Sequence, residues 1–145
     1  MAKILVAYYS KGGNVKKMAE FVAKGVKEEG CEVSVKTVEN VLPDELVNYD
    51  GFIFGSPTYY GQMAAQVKKL FDDSVILHGK LEGKVGGAFT SSANIGGGNE
   101  TTILSILQAF LIHGMLIQGT SKNDHYGPVA ISSEPVPTTV TESVR

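Results

Sequence analysis

The chain has 145 residues, 15 acidic and 13 basic, for a formal net charge of −2. That length suits one domain burying roughly two thirds of the surface its unfolded form exposes, without disulfide or metal staples. So even a charge balance excludes the basic field that a nucleic acid or an anionic membrane requires, and the single cysteine, Cys31, excludes an internal disulfide and reads as a strand thiol in a reducing compartment.

Lys3 to Tyr9 is a continuous apolar run, the pattern of a parallel strand covered on both faces. It is too short for a signal peptide and no later run approaches a membrane span, so a cytoplasmic location is expected. Val15, Met18, Ala19, Val22 and Val26 recur at helical spacing with lysines largely opposite them, and Gly30 stops the helix. Cys31 to Val38 alternates imperfectly, as an edge strand does. Beyond Pro43 a short helix is expected around Asp44 to Val47. Gly51 to Gly55 is a third strand, ended by Ser56-Pro57-Thr58, and Ala64, Val67, Leu70 and Phe71 mark a helix from Met63 to Val75. Lys84 to Phe89 is a fourth strand. Thr102 to Ile112 is apolar on nearly every side, as a buried helix is; Gly114 ends it and Met115 to Gln118 opens a fifth strand. This alternation predicts an α/β fold, a doubly wound five-stranded parallel sheet with right-handed crossovers.

In such a sheet a ligand lies beyond the carboxyl ends of the strands, where the strand order reverses. Three exits at that edge stand out: S-K-G-G-N-V from Ser10, S-P-T-Y-Y-G-Q from Ser56, and T-S-S-A-N-I-G-G-G from Thr90. In the first, the Ser10 hydroxyl, the Asn14 amide and the backbone N–H groups of Lys11 to Val15 converge on the positive end of a helix dipole, which suits an anion. A plain turn with Asn14 as N-cap is the alternative. The spacing is neither that of a Walker loop nor G-x-G-x-x-G, so a monophosphate fits better than the ligands of either. The second loop offers two tyrosines, one expected to pack beneath it and one to stack on a planar ligand, beside Gly61, which can take positive φ. In the third, three glycines before a helix favour a close approach to something over a loose connection.

Taken in order, S-x-x-G-N-V, G-S-P-T-Y-Y-G-Q-M, F-D-D, G-K-V-G-G-A-F-T-S-S, G-G-G-N-E and H-G-M resemble the flavodoxin-like FMN proteins, and among them the branch of WrbA-type NAD(P)H:quinone oxidoreductases, from Met1 to about Ile131. The resemblance implies a flavodoxin-like strand order of 2-1-3-4-5 and FMN as cofactor, its phosphate held by Ser10, Lys11, Gly13, Asn14 and Val15. It implies that Pro57, Thr58, Tyr59, Tyr60 and Gly61 border the isoalloxazine ring, and that Ser91, Ser92, Asn94, Ile95, Gly96 and Gly97 close over its pyrimidine side. His113 matches a histidine that reaches the flavin site in WrbA-type proteins, with a helix C-terminal contact as the alternative. His125 and Tyr126, in D-H-Y-G-P, match a motif near the ring edge. The flavin carries the chemistry, and no catalytic acid, base or metal constellation stands out.

WrbA-type proteins carry insertions after the second strand and within the fifth, whereas this chain reads as compact at both places. They also continue into a final helix. Here that helix is expected to be missing, the domain spanning 1–133 and an irregular tail, broken by Pro135 and Pro137, spanning 134–145. One sheet face is then short of cover, and self-association as a two-fold dimer is expected in preference to Val136, Val140 and Val144 folding back. Three functions stay open. The first is an FMN enzyme that takes electrons from NAD(P)H and reduces a quinone-like acceptor. The second is a flavodoxin shuttling single electrons between redox partner proteins, a role usually filled by strongly acidic chains, so the charge balance favours the first. The third is a domain that binds FMN or another phosphate ligand without turnover.

Overall fold

The computed structural model describes residues 1–132, and strands and helices alternate in the expected order. β1 (Lys3–Tyr8) is buried on both faces from Leu5 onward, as its unbroken apolar run requires. α1 (Asn14–Glu28) turns Val15, Met18, Ala19 and Val22 inward and its lysines outward. β2 (Glu32–Thr37) is the half-exposed edge strand, followed by 3-10 turns over Val38–Asn40 and Pro43–Asn48. β3 (Gly51–Pro57) extends through Ser56 and Pro57. α2 (Ala65–Asp73) begins later than its apolar spacing suggests because the two amides before it are taken by side chains. Met63 N–H donates to Ser105 Oγ at 3.1 Å and Ala64 N–H to Ser56 Oγ at 2.8 Å. A 3-10 turn, Ser74–Leu77, closes it. β4 (Val85–Ser92) leads to α3 (Asn99–Ile112), which buries one side only, leaving Leu111 and Ile112 exposed.

The sheet is parallel with the order β2-β1-β3-β4-β5, β5 being Leu116–Ile117. The fifth strand corrects the sequence reading, since it is not compact. β5 pairs only with Val85 and Gly86, the chain leaves the sheet over residues 118–128, and β6 (Val129–Ile131) returns to pair with Thr90, Ser91 and Ser92. The excursion is polar and ends in Gly127-Pro128; proline has no N–H to give a ladder, so the strand restarts only after it. The Pro128 carbonyl still accepts the Thr90 N–H at 3.1 Å.

Side chains alternate across the sheet into two layers. On one face Leu5, Ala7, Phe52, Phe54 and Ala88 pack under α2 and α3 with Val67, Leu70, Ile103, Ile106 and Phe110. On the other, Val6, Tyr8, Phe89 and Ala130 pack under α1 with Val15, Met18 and Val22. Among the described residues α1 alone covers this second face, and the register partners Val85 and Leu116 are left 54% and 62% exposed. Among the described residues no helix follows β6; the tail expected over 134–145 lies outside them. No helix among the described residues is long and apolar enough to cross a membrane.

Candidate functional site

β1 lies between β2 and β3, so the chain winds one way after β1 and the other way after β2. This is the reversal point at which open α/β sheets bind ligands. Tyr8, Gly55 and Phe89 are level in the register, and the loops after β1, β3 and β4 therefore leave the same edge.

The first loop closes on itself where Ser10 Oγ accepts the Gly13 N–H at 3.1 Å. Gly13 occupies the N-cap with φ +95°, and no side chain caps α1. Asn14 is thus the first helical residue and not the cap, so its amide stays available. The N–H groups of Asn14, Val15 and Lys16 have no acceptor one turn back. No acidic residue stands in the first turn, and Lys11 and Lys16 are exposed beside it. A donor set of N–H, O–H and ammonium groups without a carboxylate fits a phosphate dianion.

In the second loop Tyr59 and Gln62 exchange both backbone hydrogen bonds, at 3.0 and 3.1 Å, across a two-residue turn. Both central residues have positive φ, +50° at Tyr60 and +73° at Gly61, which is a type I′ turn. That geometry throws Tyr60 fully into solvent and leaves Tyr59 40% exposed. Tyr60 therefore does not pack beneath the loop, while Tyr59 is more than half covered. The strand end below is held by hydroxyls: Thr58 N–H donates to Ser91 O (2.8 Å), Thr90 Oγ1 donates to Ser56 O (2.6 Å), and Thr58 Oγ1 lies 3.0 Å from Thr90 Oγ1.

In the third loop Ser91 and Ser92 are buried at the end of β4, and Ser92 Oγ donates to Asn94 O at 3.0 Å. Ile95 and Gly96 are exposed, and Gly97 N–H bonds to Asn94 O at 3.2 Å. Beyond this loop opens a groove of about 1350 Å³, shared by Ile95, Gly96, Lys122, His125 and Tyr126. His125 Nδ1 lies 2.8 Å from Thr120 O, and Thr120 N–H donates to His125 O at 3.1 Å. The structure thus brings Ser10 to Val15, Pro57 to Gly61 and Ser91 to Gly97 to one edge, with His125 and Tyr126 flanking the third loop. Thr90 and Gly98, which the sequence reading placed in the third loop without giving either a role of its own, are both engaged with the second loop: Thr90 through its hydroxyl and Gly98 through a close backbone approach.

His113 is not brought to these loops. α3 starts at the carboxyl edge of the sheet and delivers its C-terminus to the opposite edge, where Gly83 N–H donates to Gly114 O at 2.9 Å. The contact there is structural. Ser74 Oγ–H donates to Phe71 O (2.6 Å), so Ser74 Oγ accepts from His113 Nε2 (2.8 Å), and Nδ1 is buried without a partner. Burial among Leu46, Phe52, Phe110 and Met115 holds the imidazole below the ordinary histidine range, and the nearby His78 pushes the same way. A base whose folded pKa is depressed contributes stability above its unfolded pKa, about 6.5, that is lost as pH falls through the folded value. Urea midpoints measured from pH 7.5 to pH 4.5 are expected to fall less steeply in His113→Leu than in the parent. Parallel slopes would remove His113 from the acid response.

A sheet doubly wound about this reversal point, with three short polar or glycine-rich loops at its carboxyl edge, defines the flavodoxin-like class. The chain belongs to the flavodoxin family, whose family model matches residues 6–102. A protein of Sinorhizobium fredii named NAD(P)H dehydrogenase (quinone) is 42% identical over 141 residues, covering 82% of this chain and 71% of that protein. Among solved structures, a flavodoxin, WrbA-like protein from Agrobacterium tumefaciens aligns with a TM-score of 0.80 at 29% identity, covering 99% of this chain and 90% of that one. A flavodoxin from the domain Archaea aligns with a TM-score of 0.79 at 26% identity, covering 99% and 92%.

Proposed function

We propose that the protein binds FMN at the carboxyl edge of the sheet and uses it to pass electrons from NAD(P)H to a quinone-like acceptor. The carrying observation is the first loop: helix N–H groups without an intrahelical acceptor and the Ser10 hydroxyl, closed on Gly13, lie where the strand order reverses, with Asn14 the first helical residue and no acidic residue in the first turn. Ser10, Lys11, Gly13, Asn14 and Val15 would hold the phosphate, with Pro57 to Gly61 on one side of the ring and Ser91, Ser92, Asn94, Ile95, Gly96 and Gly97 on the other. When bound, the flavin supplies one- and two-electron redox chemistry. Relatives named NAD(P)H dehydrogenase (quinone) support the choice of donor and acceptor.

The test is reconstitution of the apoprotein with FMN, followed by anaerobic NADH or NADPH and then a benzoquinone. Consumption of the nicotinamide matched by quinone reduction is expected. Bound FMN that neither nicotinamide reduces, but a one-electron donor does, assigns the carrier role instead, and bound FMN inert to both leaves a binding module. Absence of FMN binding removes the reading.

Among the described residues the strip of sheet beside α1 lacks a helix over it and Val85 and Leu116 are exposed there, which supports a contact between two copies of the chain. Sedimentation at micromolar concentration is expected to show a dimer. A monomer with no more apolar-dye binding than an ordinary globular protein would rule it out.

A further inference from the structure

The three glycines before α3 are not equivalent. A Cβ at Gly96 would meet nothing, and one at Gly97 would meet the loop's own Asn94 Oδ1 at 2.8 Å. At Gly98, a Cβ would stand 2.7 Å from Gly61 Cα, 3.2 Å from Gly61 N and 3.2 Å from Thr58 Cγ2. The backbone of the Tyr60–Gly61 turn therefore rests on the N-cap of α3. Two of these, including the nearest, are backbone atoms of Gly61, which no rotamer change can clear. The first turn of α3 fixes Gly98, and one further bond ties the segment after the turn to the helix. Thr101 Oγ1 and Thr102 Oγ1 both donate to Gly98 O, at 3.1 and 2.8 Å, and Met63 N–H reaches Ser105 Oγ one turn further along. Thr101 Oγ1 also lies 3.1 Å from where a Gly61 Cβ would be, so the turn is seated between Gly98 and Thr101.

We infer that Gly98 is a positioning residue: its missing side chain seats the Tyr60–Gly61 turn on the start of α3, so that the second and third loops keep one fixed separation. The consequence for a ligand rests on the FMN reading, but the contact does not. A side chain at 98 lifts the turn and changes the width of the ring slot while leaving the phosphate loop alone. Loss of affinity should then be shared equally by FMN and riboflavin.

The experiment compares Gly98→Ala with Gly96→Ala, which also places a side chain at positive φ, +71° against +96°, but without the contact. In the apoprotein, the amide resonances of Tyr59 to Gln62 are expected to move in Gly98→Ala and to stay in place in Gly96→Ala. Affinity for FMN and for riboflavin is expected to drop together, by roughly tenfold, in Gly98→Ala. In the parent, hydrogen exchange of the Gln62 and Thr102 amides, which close the turn and the first helical bond, is expected at similar protection, whether or not the variant folds. Unmoved resonances in Gly98→Ala, equal movement in both variants, or Gln62 exchanging far faster than Thr102 would overturn the assignment. If the parent binds neither flavin, the FMN reading fails while the resonance and exchange results still decide the contact.

Discussion

Replacing Phe110 by alanine is expected to cost about 3–5 kcal/mol of folding stability, a large share of what a domain of this size has. Phe110 is 1% exposed and touches three other rings: Phe54 and Phe71 edge-on at 5.0 and 5.2 Å, and Phe52 nearly parallel at 6.2 Å. It joins α3 to β3 and α2, so no neighbour can slide into the vacated space without breaking a second contact. It also lines, with His113, the small apolar cavity of the core, so the truncation enlarges the unfilled space there. Urea unfolding should show a lower midpoint with little change in slope. A loss below about 1 kcal/mol would mean that the cluster is not the centre of the fold.

Asn14→Ala is expected to weaken FMN binding roughly ten- to a hundredfold, the worth of a hydrogen bond to a charged group, and to leave riboflavin affinity nearly unchanged. The two ligands differ only in the phosphate, so their ratio reports the loop and nothing else. The substitution is a clean one. Asn14 caps nothing, since Gly13 holds the cap position, and alanine favours a helix more than asparagine does. Isothermal titration of both flavins into both proteins gives the ratio directly. Equal weakening would place Asn14 elsewhere than at the phosphate.

The alternation of strands and helices, the helix faces and the three loop positions were legible because each rests on local pattern, whereas the strand order came only with the family resemblance. Apolar runs at β1 and β3, the Val15-Met18-Val22 stripe and the helix-ending Gly30 and Gly114 need no knowledge of distant contacts. What failed depended on geometry across the chain. His113 was matched to the flavin site by a short motif, yet α3 has 14 residues, and at 1.5 Å each these carry its end about 20 Å from its start. Met115 to Gln118 looked like the opening of one strand because its apolar pattern says nothing of when pairing stops. Which tyrosine is turned outward was not legible because the turn type was not read: with positive φ at both central positions, Tyr60 has no route under the loop. The glycine run was rightly taken as a sign of close approach, but at Gly98 the neighbour is the protein's own backbone.

The split fifth strand has a consequence for how this scaffold tolerates change. Because β5 anchors one end of β4 and β6 the other, the alignment of the sheet is set twice, independently of the residues between. Thr120 and His125 clasp each other through two contacts at the neck, and Asp124 O accepts the Gly127 N–H at 2.9 Å, which puts Ser121 to Asn123 at the tip. Length added between Lys122 and Asn123 meets chiefly loop-closure entropy, about 0.6 kcal/mol for each doubling of length. The tip is therefore a cassette, open to exchange beside the groove while the three loops keep their places.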